Sequence, residues 1–285
     1  MTPDAPQTWQ PAATIEVLVA RARLTARVRQ FFVERNVLEV HTPVLGSATV
    51  TDPDIESIPV PGYGFLQSSP EYFLKRLLAA GMPSCYQLGP VFRHGEQGRQ
   101  HNPEFVMLEW YRLGFDHWQL MEEVADLVDL LLGPAPCQRC TYAEVVGQDL
   151  LQIADMPRDQ LDLAFAEGCA ALQGRWFVTD YPADQAVLAR SQGDTAARFE
   201  LVVDGVEVAN GYWELTDLEQ HRQRFAADLQ TRAQRGLDPV AVDDTFLAAI
   251  QAGLPDCAGV AVGLDRLLML ALGKAGLDGV LAFRR

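Results

Sequence analysis

The segment from Phe199 to Glu214 constrains the fold of this chain more than any other stretch of its sequence. Apolar runs flank Asp204-Gly205, a residue pair that favours a two-residue turn between antiparallel strands. We therefore predict a β-hairpin. Antiparallel strands with helices between them recur along the chain and indicate an α+β fold around one mostly antiparallel sheet.

The predicted hairpin brings two carboxylates to one face. Pairing Val202 with Glu207 and Glu200 with Ala209 sets the two glutamates about 7–8 Å apart at their bases. They repel each other unless a cation lies between them, and Mg²⁺ prefers carboxylate and phosphate oxygens. We predict a magnesium site on Glu200 and Glu207. A solvated face with two unrelated glutamates is the alternative that the spacing leaves open.

The second strand of the hairpin has a mismatch in its alternation. Asn210, Tyr212 and Glu214 have the opposite parity to Glu207, so a regular strand would point them to the other face. A bulge over residues 209–211 would return them to the face of Glu207, and glycine is usual at such bulges. We therefore predict a bulge at that place.

The other elements follow from periodicity and from start and stop signals. We expect residues 1–285 to form a single domain, with residues 1–13 as a loose N-terminal arm and residues 46–64 as a loop. The predicted helices are residues 14–36, 71–80, 117–132, 218–235 and 264–272, and the further strands are residues 38–40, 85–93, 105–112 and 259–262.

The composition excludes several classes of protein. No stretch approaches the roughly 20 apolar residues of a membrane span, and the N-terminus lacks the basic start and apolar core of a secretory signal. Five cysteines without an export signal favour a reducing cytoplasm. The net charge of -15 repels nucleic acid over most of the surface. A membrane protein, a disulfide scaffold and a dedicated nucleic-acid binder are therefore excluded.

Two further stretches carry candidate site residues. Glu109 and Tyr111 lie on the same face of a strand whose other face is fully apolar, which indicates a site carboxylate or, as the alternative, a buried ion pair. Arg93 ends a strand, and Arg266 lies in the first turn of a helix, where guanidinium and backbone N–H groups favour phosphate. No GxxxxGK[ST] stretch is present, so these residues suggest an ATP-using site without a P-loop.

In chain order, several motifs resemble those of class II aminoacyl-tRNA synthetases of the lysyl type. The helix before EV at 39–40 and TP at 42–43 resembles motif 1, VFR at 91–93 with HNPEF at 101–105 and EWY at 109–111 resembles motif 2, and GLDR at 263–266 resembles motif 3. SPEY at 69–72 with KRL at 75–77 resembles the segment beside the amino-acid pocket. The resemblance implies the class II catalytic fold, a mostly antiparallel sheet flanked by helices, and a homodimer formed through motif 1.

The resemblance also implies a role for each candidate residue. ATP would bind bent, with Mg²⁺ on Glu200 and Glu207, its α-phosphate on Arg93 and its γ-phosphate on Arg266. Catalysis would consist of positioning and charge neutralisation. The further nucleotide contacts would be His94, Gly95, Glu96, Asn102, Val208 and Gly263. The amino acid would contact Ser69, Pro70 and Ala261, and Glu71 would hold the amino group near its carboxylate. Its far ammonium would be held by Glu109, Tyr111, Asn210 and Glu214.

MLEWYR at 107–112 and PDCAGVA at 255–261 are most similar to one branch of these enzymes, the elongation factor P–(R)-β-lysine ligases. That branch has no anticodon-binding domain, and none is expected here. The resemblance implies activation of lysine or (R)-β-lysine as an adenylate and transfer to a lysine of elongation factor P. The acidic surface favours a protein acceptor over tRNA. Ala261, where lysyl enzymes usually have glycine, is expected to favour the β-amino acid.

Two other functions remain as alternatives. A small lysyl-tRNA synthetase paralogue would transfer lysine to tRNA or to a small amine, and a non-catalytic regulatory subunit would bind the amino acid without activating it. Retention of all the phosphate and metal residues argues against the regulatory subunit. Two departures from the family pattern concern the loop, where His94-Gly95 replaces the usual Asn-Glu, and the shortened region before the hairpin.

Overall fold

The computed structural model describes residues 9–284, and helices and short strands alternate throughout this part of the chain. The strands are β1 (Leu38–Glu39), β2 (Leu45–Gly46), β3 (Pro59–Val60), β4 (Gly64–Leu66), β5 (Cys85–Phe92), β6 (Glu104–Leu113), β7 (Cys137–Thr141), β8 (Arg175–Thr179), β9 (Tyr181–Pro182), β10 (Ser191–Gln192), β11 (Thr195–Ala196), β12 (Arg198–Val203), β13 (Val206–Trp213) and β14 (Cys257–Gly263). The helices are α1 (Ile15–Glu34), α2 (Glu71–Ala79), α3 (His117–Leu132), α4 (Tyr142–Val146), α5 (Leu150–Ala154), α6 (Arg158–Ala171), α7 (Leu218–Gln234), α8 (Asp244–Gly253) and α9 (Leu264–Ala271).

Eight strands form the main sheet, in the order β1-β5-β6-β14-β13-β12-β8-β7. The six central strands pair antiparallel with their neighbours, and in sheet order they are β5, β6, β14, β13, β12 and β8. Only the two edge strands pair parallel, β1 with β5 and β7 with β8. The architecture is α+β with a mostly antiparallel sheet, which confirms the predicted fold class.

The β12–β13 hairpin turns at Asp204-Gly205 with positive φ angles of 48° and 76°, as a type I′ turn requires. The predicted pairs of the first two rungs are confirmed, but Leu201 pairs with Ala209 and Glu200 with Asn210. The bulge therefore lies at Val208, before the predicted place. The predicted pairing of Glu200 with Ala209 is wrong by one residue.

Packing explains why the bulge comes earlier than predicted. Val208 and Ala209 are both buried in the main apolar core, so the extra residue places two consecutive side chains on the same face. A side chain at Gly211 would collide with the ring of Phe199 and with Val260. Gly211 therefore serves close packing and not the bulge.

One face of the sheet carries the main core. Helices α1, α3 and α9 pack against it, and the side chains between them include Phe32, Trp110, Val124, Leu201 and Leu268. Helix α3 has the bounds predicted from its periodicity and begins with a capping box between Asp116 and Gln119.

The opposite face is only partly covered. Helices α2, α7 and α8 enclose an apolar cluster that contains Tyr72, Phe225 and Phe246. A second cluster, around Tyr142 and Tyr181, lies under α4 to α6. Between these two clusters the sheet face stays open, and the predicted site residues lie in that gap.

Three further observations bear on the predicted segments. The predicted loop at residues 46–64 is wrong in part, because β2, β3 and β4 form a small sheet there whose strands are too short to show periodicity. Residues 1–8 of the predicted arm lie outside the described residues, while Ala12 and Ala13 donate backbone hydrogen bonds to Ala282 and Leu281. Among the described helices, none is long and apolar enough to cross a membrane.

Candidate active site

A cavity of about 1060 Å³ occupies the open face of the sheet. Strands β6, β12, β13 and β14 contribute its floor, and the starts of α2 and α9 contribute its ends. All but three of the predicted site residues line this cavity. The predicted residues that line it are Ser69, Glu71, Arg93, Glu96, Asn102, Glu109, Tyr111, Glu200, Glu207, Val208, Asn210, Glu214, Ala261, Gly263 and Arg266. The bulge at Val208 is what brings the glutamates of the hairpin and Asn210 to this face.

Three predicted residues do not line the cavity. Pro70 is buried at the position before α2. His94 lies on the surface, where its N–H donates to the carbonyl of Glu56 at 2.7 Å and its Nδ1 lies 3.0 Å from the Glu56 carboxylate. Gly95 follows with a φ of 76°. The chain therefore turns away from the cavity at His94-Gly95, where the sequence departs from the family pattern, and it lines the cavity again at Glu96.

Glu109 is one of the buried carboxylates of the cavity. It is 3% exposed and accepts hydrogen bonds from Ser69 Oγ at 2.7 Å and Tyr111 OH at 2.8 Å. Burial, aided by the charge of Glu71, raises the pKa of Glu109 to about 8. Ser69 also accepts a hydrogen bond from the Glu71 N–H, so one hydroxyl links the start of α2 to this carboxylate.

Glu214 already has a cationic partner within the chain. The ammonium of Lys75, which is fully buried, lies 2.7 Å from Glu214 Oε2 and 2.6 Å from Glu71 Oε1. Burial raises the pKa of Glu214 to about 7, although the charge of Lys75 opposes this shift. The sequence analysis expected Glu109 and Glu214 to hold the far ammonium of the substrate and assigned no cation of the chain to them, whereas the structure pairs Glu214 with Lys75.

The glutamates proposed for magnesium also line the cavity. Glu200 is buried and ion-paired with Arg198 at 2.6 Å, whereas Glu207 is half exposed and lies 3.5 Å from Arg266. Burial and the charge of Glu207 raise the pKa of Glu200 to about 7. The described residues contain no group of three or more His, Cys, Asp or Glu side chains that would hold a metal ion by themselves.

The two predicted phosphate ligands lie at the other end of the cavity. Arg266 Nε donates to the Gln100 carbonyl and Nη1 to the Glu207 carbonyl, both at 3.1 Å. Arg93 is held more loosely, with Nε 3.4 Å from the Ser68 carbonyl and its guanidinium 5.2 Å from the Phe105 ring centre. Arg93 is therefore the freer of the two to receive a ligand.

His101 supports Arg266 from the motif 2 loop. Its Nε2 lies 2.7 Å from Arg266 Nη2, and because a guanidinium only donates, Nε2 must accept and the proton must be on Nδ1. Burial and the charge of Arg266 lower the pKa of His101, which favours this neutral form.

Several buried oxygens on the cavity wall lack a partner within the described chain. They belong to Ser68, Asn102 and Asn210. Buried polar atoms are almost always hydrogen-bonded, so unpaired ones on a cavity wall are available to water or to a polar ligand. Gly259 contributes space, because a Cβ there would overlap both Glu214 and the Tyr111 ring.

Sequence reasoning assigned no role to Lys75, His101 or Arg198. Lys75 follows Glu71 by four residues on a helix, a spacing that signals an ion pair. Arg198 precedes Glu200 by two residues on a strand, so alternation alone places them on one face. Only His101 lacked a local signal, since its contact with Arg266 depends on the tertiary fold.

Comparison with known proteins agrees with this geometry. Residues 9–285 match the family model of class II tRNA synthetases (D, K and N). Proteins named elongation factor P–(R)-β-lysine ligase are 44% identical in Vibrio atlanticus, covering 97% of this chain and 98% of the relative, and 42% identical in Salmonella dublin, covering 97% of each. The Vibrio cholerae protein of that name is 44% identical over 96% of this chain and 97% of its own length. This chain therefore belongs to the class II tRNA synthetase family, within the branch whose members carry that ligase name.

Proposed function

We propose that this chain activates (R)-β-lysine or lysine with ATP, as an aminoacyl adenylate, and transfers it to a lysine side chain of elongation factor P. The names of its relatives support the reaction and the acceptor. The observation that carries the proposal is the arrangement of the cavity. One end presents arginines and the other end presents buried carboxylates, and an ATP-dependent lysine ligase needs both.

The arginine end suits the triphosphate. We assign the α-phosphate to Arg93 and the γ-phosphate to Arg266, which His101 orients. Glu96, Asn102, Val208 and Gly263 line the same region and are proposed to contact the nucleotide. His94 and Gly95 remain predicted contacts, which would require the loop to approach the cavity when ATP binds.

Glu200 and Glu207 suit a magnesium ion bound together with ATP. Their oxygens are the hard ligands that Mg²⁺ prefers, and two carboxylates leave coordination positions for phosphate oxygens and water. Burial and the charge of Glu207 raise the pKa of Glu200, and a cation held between the two carboxylates would relieve that repulsion. The bound ion would neutralise negative charge on the phosphates, while Arg198 holds Glu200 in place.

The first chemical step joins the two ends of the cavity. A carboxylate oxygen of the amino acid attacks the α-phosphorus in line, a P–O bond to that oxygen forms, and the bond to pyrophosphate breaks. Arg93 neutralises charge on the α-phosphate, and Glu71 orients the nearby amino group. This chain contributes positioning and charge, and it forms no covalent bond to the substrate.

The second step consumes the adenylate. The uncharged ε-amine of the acceptor lysine attacks the activated carbonyl, an amide bond forms, and AMP leaves with the bonding electron pair. A proton is lost from the attacking nitrogen in this step.

Two alanines bear on the preference between the amino acids. Ala261 lines the cavity and pairs with Glu109 on one side and Asn210 on the other, so its methyl group lies between two proposed amino-acid contacts. Ala209 packs in the core beneath the sheet. We propose Ala261 as the residue that favours the β-amino acid.

Larger-scale features complete the proposal. The net charge of -15 disfavours tRNA as the acceptor and fits a protein acceptor. We propose a homodimer through α1, whose Ile15, Val19 and Val33 expose apolar side chains.

The five cysteines are all free, which fits a reducing compartment such as the cytoplasm.

Acceptor labelling tests the transfer. Labelled lysine or (R)-β-lysine is incubated with ATP, Mg²⁺ and the protein, together with either elongation factor P or total tRNA. The proposal predicts label in elongation factor P at a lysine and none in tRNA. Label in tRNA alone would favour the small synthetase.

A further inference from the structure

Lys75 is an unusual residue in this chain. Arginine and lysine total 23, yet only Lys75 and Lys274 are lysines. Lys75 is also fully buried, a position that a lysine side chain almost never occupies unless it is paired. The proposed reaction assigns no role to Lys75, so the buried positive charge of this side chain needs an explanation.

The side chains around Lys75 show how its positive charge is paired. Its ammonium contacts Glu71 at 2.6 Å and Glu214 at 2.7 Å, and both carboxylates line the cavity. Glu109, the third carboxylate, has no contact with Lys75 and is held by the hydroxyls of Ser69 and Tyr111. Once a substrate ammonium has displaced the proton of Glu109, three negative charges and one positive charge leave this end of the cavity with two negative charges for the substrate to neutralise.

We propose that Lys75 is a specificity-determining residue, a resident counter-ion that sets the charge of the amino-acid end to match a substrate with two ammonium groups. An amino acid with one ammonium would leave a buried carboxylate unpaired, which is strongly unfavourable. Without Lys75 three carboxylates would face two ammonium groups. This inference rests on the proposed function, because it assumes that the substrate amines occupy this end.

If Lys75 sets the charge of this end, its removal from a Glu214→Gln protein should strengthen lysine binding. If Lys75 only stabilises the fold, its removal should weaken lysine binding. In Glu214→Gln, Lys75 still neutralises one charge, so only one negative charge remains for two substrate ammonium groups. In the double variant Lys75→Met/Glu214→Gln, Glu71 and Glu109 restore two negative charges. Removal of Lys75 should therefore improve lysine binding in the Glu214→Gln background, whereas a purely structural lysine would make the double variant worse.

Calorimetric binding of L-lysine and L-norleucine, which has the same chain without the second ammonium, measures this effect. We expect the lysine-over-norleucine preference to fall in Glu214→Gln and to recover by about tenfold or more in the double variant, since one partly buried charge pair is worth about 1.4 kcal/mol or more. Lys274→Met, the same change at the other lysine, should leave the preference unchanged. A double variant no better than Glu214→Gln would overturn the proposal.

Two controls keep the result interpretable. Thermal unfolding of each variant identifies loss of folding. Lys75→Met alone, which leaves Glu71, Glu109 and Glu214 without this cation, is expected to melt lower than the double variant. Binding and ATP–pyrophosphate exchange are measured on the same samples. A wild-type protein that binds lysine without exchange would contradict the proposed function but would leave the binding test of Lys75 valid.

Discussion

Arg266 is the residue that we propose for the γ-phosphate of ATP. Its guanidinium already spans the motif 2 loop and Glu207, so a phosphate would meet a preorganised donor. We expect Arg266→Ala to lower pyrophosphate exchange by 10²- to 10³-fold, the loss of about 2–4 kcal/mol of transition-state stabilisation, without unfolding the protein. Arg284→Ala is the matched control, because Arg284 also donates to the loop at Gly98 but lies outside the cavity. Full activity of Arg266→Ala would remove this role.

Gly259 provides the space in which Glu214 and Tyr111 meet. A methyl group there would lie closer than 3.0 Å to atoms of both side chains and displace them. We expect Gly259→Ala to raise the KM for lysine by at least about tenfold while the KM for ATP stays within about twofold. Gly89→Ala, on β5 of the same sheet, adds a methyl group that meets nothing closer than 3.7 Å and should change neither constant. Equal changes in both KM values would indicate a general distortion.

The raised pKa of Glu109 predicts that substrate binding releases a proton. Its pKa is raised to about 8, so at pH 7 the empty cavity holds a proton on this carboxyl, and above pH 8 the proton is lost. A substrate ammonium stabilises the charged carboxylate and expels the proton. Calorimetry at pH 7 in two buffers of different ionisation enthalpy should show up to about one proton released per lysine, and less at pH 9. Glu109→Gln should reduce the release; an unchanged value would assign it to another group, such as Glu214.

At the scale of elements, the sequence predicted helices and long strands well because periodicity and caps are local. Helix α3 and the Asp204-Gly205 turn have the predicted bounds. The place of the bulge could not be predicted, because it depends on which apolar side chains the core accepts and on how Phe199 packs against Gly211. Most predicted site residues nevertheless line one cavity, since a bulge anywhere between Glu207 and Asn210 restores their common face.

Helix α1 exposes a stripe that the rest of the described chain leaves uncovered. Ile15, Val19 and Val33 are 62, 44 and 64% exposed, and their spacing places them on one side of the helix. If this stripe forms a dimer interface, Val19→Asp should give a monomer by light scattering, because a buried unpaired carboxylate opposes association. Leu163→Asp, on α6 at 60% exposure, is the control and should keep the wild-type mass. A Val19→Asp variant of dimer mass would place the interface elsewhere.

At the scale of the whole molecule, one cavity joins an arginine end to a carboxylate end. The lysine-specific charge of one end could not be predicted in full from the sequence, because Lys75 and Glu214 meet only in the folded chain.

ATP–pyrophosphate exchange with each amino acid tests this central claim most directly. The account predicts exchange that depends on (R)-β-lysine or lysine, is absent with norleucine, and requires both Arg266 and Glu109. Exchange without an amino acid, exchange supported equally by norleucine, or formation of ADP in place of AMP would contradict it.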